Sequence, residues 1–473
     1  MDKNFEIVIG VEVHVELKTK TKIFCGCTTE FGGYPNTHCC PVCMGLPGTL
    51  PVLNKEVVNY AIMAGLATNC EITPRGRQDR KHYFYPDLPT SYQISQDSLP
   101  ICENGHLDIE IQGQQKTIGI TRIHIEEDAG KLIHKGDEGT LVDYNRAGVP
   151  LIEIVSEPDL RSGEETRAFL QKLRAIMIYI GVSDCKMNEG SFRCDVNLSI
   201  RKKGEKRYGT RTEMKNLNSF QSIMRAIDYE SQRQMKEIKE GRPIIQETRG
   251  FDQASGKTYS MRTKEDAEDY RYLPDPDLMP ILIDEDRIKD LKKTLPELPD
   301  QRKKTYMSKY GLSSYDAEQL VSSIEVADYF EEAAKFSKNP KTLANLMITE
   351  VFRFIDLDEF YIPFPPAYMG ELVNLLEDGI INSSTSKKLI DEMVKDSKSP
   401  VEIVKEKDLE QINDINILSP IVDDAISRSR KAVDEYLSGK EKALQSIIGQ
   451  IMGRTKGKAN PEVVLSLLKE KLK

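Results

Sequence analysis

No stretch of this chain approaches the roughly 18 to 20 uninterrupted apolar residues that a bilayer crossing requires, which excludes a membrane-spanning helix. The opening Met1-Asp2-Lys3-Asn4-Phe5-Glu6 lacks the basic start and apolar centre of a secretion signal, so the expected compartment is the cytoplasm. Nine cysteines in 473 residues are too sparse for a disulfide scaffold. Positive charge is not in excess: 66 lysines and arginines face 75 aspartates and glutamates, a net −9 that excludes coating of nucleic acid through bulk charge. Neither a GxxxxGKS/T loop nor a GxGxxG turn occurs, so neither a P-loop nor a dinucleotide fold is supported. Internal repeats and low-complexity tracts are also missing.

With 39% hydrophobic and 30% charged residues, the chain can bury a core yet is too long for one ordinary domain; two or three are expected. Two-residue alternation recurs in Ile7 to Leu17, Ile118 to Glu127, Leu151 to Glu157 and Phe192 to Ile200, which predicts sheet strands. Ser162-Gly163-Glu164-Glu165 reads as a capping box before a helix ending at Gly181, and a second helix is expected from Ser219 to Glu240. Strands mixed with separate helices define an α+β domain. Prolines gather at 274, 276, 280, 296 and 299, after which alternation gives way to helical spacing, placing a boundary near Asp300. A second shift falls at Ser397-Lys398-Ser399-Pro400. From Gly439 onward eight basic residues meet three acidic ones, a local +5 that leaves −14 on the remainder. Within that tail, 449–461 reads as a glycine-rich basic loop between two helices, either a solvated connection or an RNA phosphate contact.

In Ile7 to Leu17 the odd positions are apolar, so Glu12, His14 and Glu16 share the opposite face of the expected strand. Later strands do the same: His124 and Glu126 oppose Ile123 and Ile125, Glu153 sits among apolar neighbours, and Arg193, Asp195 and Asn197 oppose Phe192, Cys194 and Val196. A solvated sheet face is the ordinary explanation for any one strand. Several strands offering acids without neutralising lysines would repel one another unless a cation sat among them, and oxygen ligands with an imidazole suit Mg²⁺ holding nucleotide phosphates. Asp79 to Pro89 packs cations, aromatics and prolines into an expected loop able to hold phosphate and stack a base, or simply to form surface ion pairs. Cys25-Gly26-Cys27 and Cys40-Pro41-Val42-Cys43 match the four-thiolate spacing of a structural zinc knuckle, with His38 and Cys39 as possible substitutes. Cys70, Cys102, Cys185 and Cys194 are isolated and read as packed thiols.

These motifs, with 36–48, Arg80 to Asp87, Tyr92 to Gln96, His124 to Lys131, Pro150 to Pro158, Lys215 to Ser219 and Asp269 to Asp277, resemble the B-type subunit of the bacterial tRNA-dependent aspartyl/glutamyl amidotransferase nearly end to end. The resemblance implies a cradle domain on an antiparallel sheet (1–300, zinc knuckle near 25–43), a helical domain (301–400) and a basic helical tail contacting tRNA (401–473). It further implies ATP-dependent amidation of Glu on tRNA(Gln) or Asp on tRNA(Asn), by ammonia channelled from a glutaminase (amidase) partner subunit and with a small third subunit bracing the complex. Carried over by matched motif, Glu12, His14, Glu126, Glu127, Glu153 and Asp195 are expected to hold Mg²⁺ and the ATP phosphates. Lys81 is expected to stabilise reacting oxygens, with Tyr83 and Tyr85 beside it; Cys25, Cys27, Cys40 and Cys43 are expected to hold a structural Zn²⁺. Alternation sets Glu127 opposite Glu126 unless a bulge intervenes. Competing readings are a free-standing carboxylate ligase for a small metabolite and a zinc-stabilised RNA-binding scaffold without catalysis.

Overall fold

The computed structural model describes residues 4–136, 139–263, 270–354, 361–455 and 457–472; Met1 to Lys3, Asp269, Lys456 and Lys473 of the motifs above lie outside them. The chain divides into two compact units, Met1–Pro299 and Asp300–Lys473.

The first unit is built on a nine-stranded sheet. Its strands are β1 (Phe5–Glu16), β2 (Glu71–Ile72), β3 (Cys102–Ile111), β4 (Gln114–Glu127), β5 (Pro150–Ser156), β6 (Phe192–Lys202), β7 (Thr212–Lys215), β8 (Glu247–Asp252) and β9 (Lys257–Thr263). They lie in the order β9-β8-β7-β6-β1-β5-β4-β3-β2. Pairing is antiparallel except between β7 and β8, which run parallel. The strand nearest the amino terminus thus becomes the central one, flanked by β5 and β6.

One face of the sheet is the core. Ile7, Ile9, Val11, Val13 and Val15 of β1 are buried there with Phe169, Leu173, Ile176, Ile223 and Ile227. The last five come from helices α2 (Gly163–Tyr179) and α3 (Phe220–Lys239), which join α1 (Lys55–Ala67) on this face. Both α2 and α3 start where the sequence predicts. Ser162 accepts a hydrogen bond from Glu165 N and Ser219 one from Ser222 N, each satisfying a donor the first helical turn leaves open. A buried network ties α3 to the sheet: Glu230 accepts from Arg233, Gln234, Thr212 of β7 and Thr258 of β9. It clamps β7 where Glu213 and Lys215 project.

Asp79 to His82 forms a strand rather than the expected loop, paired to Tyr92–Ser95 on one side and Leu273–Pro274 on the other. Its charged side chains hid it, because a strand of four polar residues, one edge of which is completed by the far-off Leu273–Pro274, carries no alternation of its own. Only the turn beyond, from Tyr83 onward, is irregular.

The second unit contains helices and, among the described residues, no strand. Leu418, Val422, Leu444, Ile447, Ile451, Val464 and Leu468 form a separate apolar cluster within it. The glycine-rich segment expected as a loop is helix in its first half, where Leu444–Arg454 runs through Gly449 and Gly453 because Leu444, Ile447 and Ile451 recur at helical spacing and bury. Asn460 then caps the last helix, Pro461–Lys471, with proline in its first turn. No described helix is long and apolar enough to cross a membrane.

Candidate active site

The polar face of the sheet gathers acids from five strands. Antiparallel register sets His124 of β4, Glu153 of β5, His14 of β1 and Arg193 of β6 in one row across the sheet. The next row carries Glu12 and Asp195, followed by Lys215 on β7. Directly opposed residues in a sheet share a face at close range, so the register alone concentrates these charges.

Two groups result. In the first, His14 Nε2 stands 3.3 Å from Glu126 Oε1 and 3.6 Å from Glu153 Oε2. His124 Nε2 stands 3.2 Å from Glu153 Oε2 and 3.6 Å from Glu126 Oε2. Burial by itself would lower both imidazoles, but the two carboxylates outweigh it, holding His14 above its ordinary range and pushing His124 up to about 9. Reciprocally, burial would raise Glu126, yet the two histidines hold it well below the usual carboxylate range. In the second group, Glu12, Asp195 and Glu213 converge. Burial first, then the charges of Glu153, Glu213 and Asp195, raise Glu12. Asn197 donates to Glu12 Oε1 at 2.8 Å, and Lys215 bonds Asp195 and lies 3.2 Å from Glu213.

The ligand atoms of His14, Glu126 and Glu153 all lie within 4.8 Å of one another, as do those of Glu12, Asp195 and Glu213. Neighbouring ligands of an octahedral Mg²⁺ stand about 3 Å apart, so either set fits the ion with small side-chain adjustments. The ligands expected for a single magnesium site are thus divided between two adjacent sets. Glu127 joins neither. Its Oε1 accepts the backbone N–H of Ile94 at 2.8 Å, and it lines a cavity of about 220 Å³ with Lys22, Cys43 and Asp128. Alternation continues through β4 without a bulge there, which sends Glu127 away from Glu126. Burial, then Asp275, Glu126 and Cys43, push its carboxyl up to about 8.

Lys81 comes from the strand Asp79–His82. Burial would lower its ammonium, but Glu126, Tyr272, Tyr270 and Glu153 together hold it above the ordinary lysine range. Tyr83 stands beside it, with Lys81 Nζ 5.9 Å from its ring. Tyr85, predicted alongside, is 55% exposed on the turn. The segment carrying Tyr92 to Gln96 is stitched to β4: Ser95 Oγ donates to Glu126 Oε2 at 3.4 Å, and Ile125 N to Gln96 Oε1 at 2.9 Å.

The sulfur atoms of Cys25, Cys27, Cys40 and Cys43 also converge within 4.8 Å. Cys43 Sγ is 4.0 Å from Cys27 Sγ and 3.9 Å from Cys40 Sγ, against about 3.8 Å for a tetrahedral zinc with 2.3 Å bonds. The four residues fit the ion. Cys39 stays outside the group, its Sγ directed at Asn145.

Glu213, Lys215 and His124 belong to the site but were not among the expected site residues. His124 was visible on the face of β4; Glu213 was not, because four residues of β7 are too few to show a period.

An α+β domain with two acidic sets side by side on one sheet face, in a chain that continues into a helical unit, defines the class. The family model described as the GatB/GatE catalytic domain matches residues 7–289, and that described as the GatB domain matches 328–472. The chain belongs to this family. It is 57% identical over 475 residues to the B-type subunit of the aspartyl/glutamyl-tRNA(Asn/Gln) amidotransferase of Caldicellulosiruptor saccharolyticus, covering 99% of both chains. Subunits of the same description from Carboxydothermus hydrogenoformans and Geotalea daltonii are 54% and 52% identical over 477 and 476 residues, again with 99% coverage of both.

Proposed function

We propose that this chain is the synthetase half of a tRNA-dependent amidotransferase, activating the side-chain carboxylate of Glu or Asp esterified to tRNA and then amidating it. The observation that carries the reading is the pair of carboxylate sets, His14/Glu126/Glu153 and Glu12/Asp195/Glu213, side by side on one sheet face with Lys81 close to the first. Relatives that match the whole chain carry the amidotransferase name.

A carboxylate is a poor electrophile and would have to expel oxide or hydroxide. One of its oxygens therefore attacks the γ-phosphorus of ATP, the bond to the β-γ bridging oxygen breaks, and ADP leaves. The resulting acyl phosphate takes ammonia at its carbonyl carbon; the acyl C–O bond breaks, inorganic phosphate leaves, and loss of a proton from nitrogen gives the amide. Phosphoryl transfer of this kind depends on positioning and charge neutralisation more than on a protein nucleophile. Bound Mg²⁺ would supply neutralisation and orientation of the phosphate oxygens.

The residues divide the remaining work. His14, Glu126 and Glu153 are fixed by strand register and by His124, so the first set is preorganised. Glu12, Asp195 and Glu213 form the second, with Lys215 and Asn197 setting their orientation. Lys81 offers an ammonium to the oxygens that gain charge in the transfer. The zinc set supplies stability, since four thiolates leave no open coordination position.

The partners in this reading are a glutaminase subunit that supplies ammonia, a small bracing subunit, and the misacylated tRNA, which the tail of the second unit contacts. In that tail Arg428 and Arg454 pair with Asp424, Lys458 with Asp408 and Lys471 with Asp423, surface pairs weak enough for a phosphate backbone to displace. The test is Glu126→Gln in the reconstituted complex, given each mischarged tRNA with ATP, Mg²⁺ and glutamine. Amide formation is lost while tRNA binding persists; normal turnover would refute the reading and favour a scaffold.

A further inference from the structure

Lys81 is unusual among the half-buried cations of the first unit. Arg80 beside it binds Asp275 and Asp277, and Lys215 binds Asp195 and Glu213. Among the described residues, no ion pair or hydrogen bond holds the Lys81 ammonium. Its close directional neighbours are aromatic faces: Nζ lies 4.8 Å from the centroid of the Tyr270 ring and 5.9 Å from that of Tyr83. Those two rings meet edge-on, centroids 6.0 Å apart at 66°, and Tyr272 continues the stack at 6.1 Å from Tyr270.

Tyr270 reaches this place from far along the chain, and its ring is not what keeps it there. His82 N donates to Tyr270 O at 2.9 Å, and His82 Nδ1 lies 3.2 Å from Arg271 O. Leu273 and Pro274 pair with Arg80 and Asp79. Arg80 grips Asp275 at 2.8 Å and Asp277 at 2.9 Å, and Asp275 N donates to Gln78 O at 3.0 Å. Main-chain ladder and ion pairs thus anchor the segment, leaving the Tyr270 ring free for another task.

We infer that Tyr270 is a positioning residue for the proposed reaction, its ring face holding the Lys81 ammonium beside the His14–Glu126–Glu153 set. The chemistry explains the choice of partner. A carboxylate at this distance would neutralise the lysine and compete with the oxygens it is meant to receive. An aromatic face attracts the cation through its quadrupole, fixes its direction, and leaves its N–H donors and its charge available. The inference rests on the amidotransferase reading above and adds to it the source of the lysine's orientation.

The experiment measures single-turnover amide formation by the reconstituted complex on mischarged tRNA for wild type, Y270F, Y270L, K81A and K81A/Y270L. Y270F keeps the ring and is expected within about twofold of wild type, whereas Y270L removes it and is expected to fall about tenfold in rate. The apparent KM for ATP should stay unchanged in both. Y270L should add no further loss to K81A, followed by labelled product over long incubations, because its effect passes through the lysine. Equal loss in Y270F and Y270L would overturn the inference by assigning the effect to the phenol hydroxyl. A full rate in Y270L would overturn it, as would an unchanged tenfold effect in the K81A background. An inactive wild-type complex would refute the amidotransferase reading itself, which keeps the two failures distinct.

Discussion

His124→Gln gives a sharp test of how the first acid set is held together. His124 is 3% exposed and touches both Glu126 and Glu153, which raise it to about 9 from an ordinary 6.5 against the opposing effect of burial. A shift of that size corresponds to about 3 kcal/mol of folding stability at about 1.4 kcal/mol per pH unit. The imidazolium is favoured by folding, so the contribution is complete below pH 6.5 and is lost as pH rises through about 9. Glutamine retains most of the volume but never the charge. Urea denaturation of the metal-free full chain in EDTA, followed by circular dichroism, should therefore show the variant less stable by about 3 kcal/mol at pH 6, with the gap closing by pH 9.5 toward the smaller loss from imperfect packing. A gap that is the same at both pH values would mean that His124 is not charged between the carboxylates, and the electrostatic account of this set would fall.

Three further perturbations probe other parts of the molecule. Cys40→Ser should lower bound zinc, measured by atomic emission on the purified protein, and reduce thermal stability while leaving nucleotide binding intact; unchanged zinc content would refute the ligand assignment. Glu127, pushed up to about 8, stabilises the fold while protonated, so that contribution is lost as pH rises through 8. Glu127→Gln stays neutral, can still accept from Ile94 N, and should gain on wild type in melting temperature as pH rises from about 4.5 to about 8, keeping that gain above 8; curves that run parallel across this window would contradict the burial argument. Glu230→Ala leaves Arg233 and Thr258 without their shared carboxylate and should cost about 3 to 5 kcal/mol in denaturant, the range for breaking a buried ion pair from one side. A loss below about 1 kcal/mol would show that the network does not clamp β7.

Much of this architecture is legible in the sequence. β1 from Val11 onward and β4 from Ile123 onward alternate so strictly that one face has to be apolar while the other carries the acids, the earlier part of β4 being out of phase across a register shift next to Thr121. Ser162 and Ser219 mark the helix starts because open amide donors select such caps. What escapes is set by tertiary pairing. The Asp79–His82 strand lacks a period because its four residues are all polar and one of its edges is completed by the far-off Leu273–Pro274. The tail helix hides behind Gly449 and Gly453, whose poor propensity is overridden by the apolar side chains on its buried face. The separation of the expected magnesium ligands into two sets follows from register: Glu12 faces Asp195, while His14 faces Glu153. No single strand carries that information.

The central position of β1 has a consequence for biogenesis. Val11 contacts Ser156 across 145 residues, and Glu12 meets Asn197 across 185. This strand is made before either of its lateral neighbours, and until they emerge from the ribosome it is an unpaired ribbon rich in isoleucine and valine, prone to bind other nascent chains. Synthesis of the chain should accordingly engage cotranslational chaperones early, before either carboxylate set is complete.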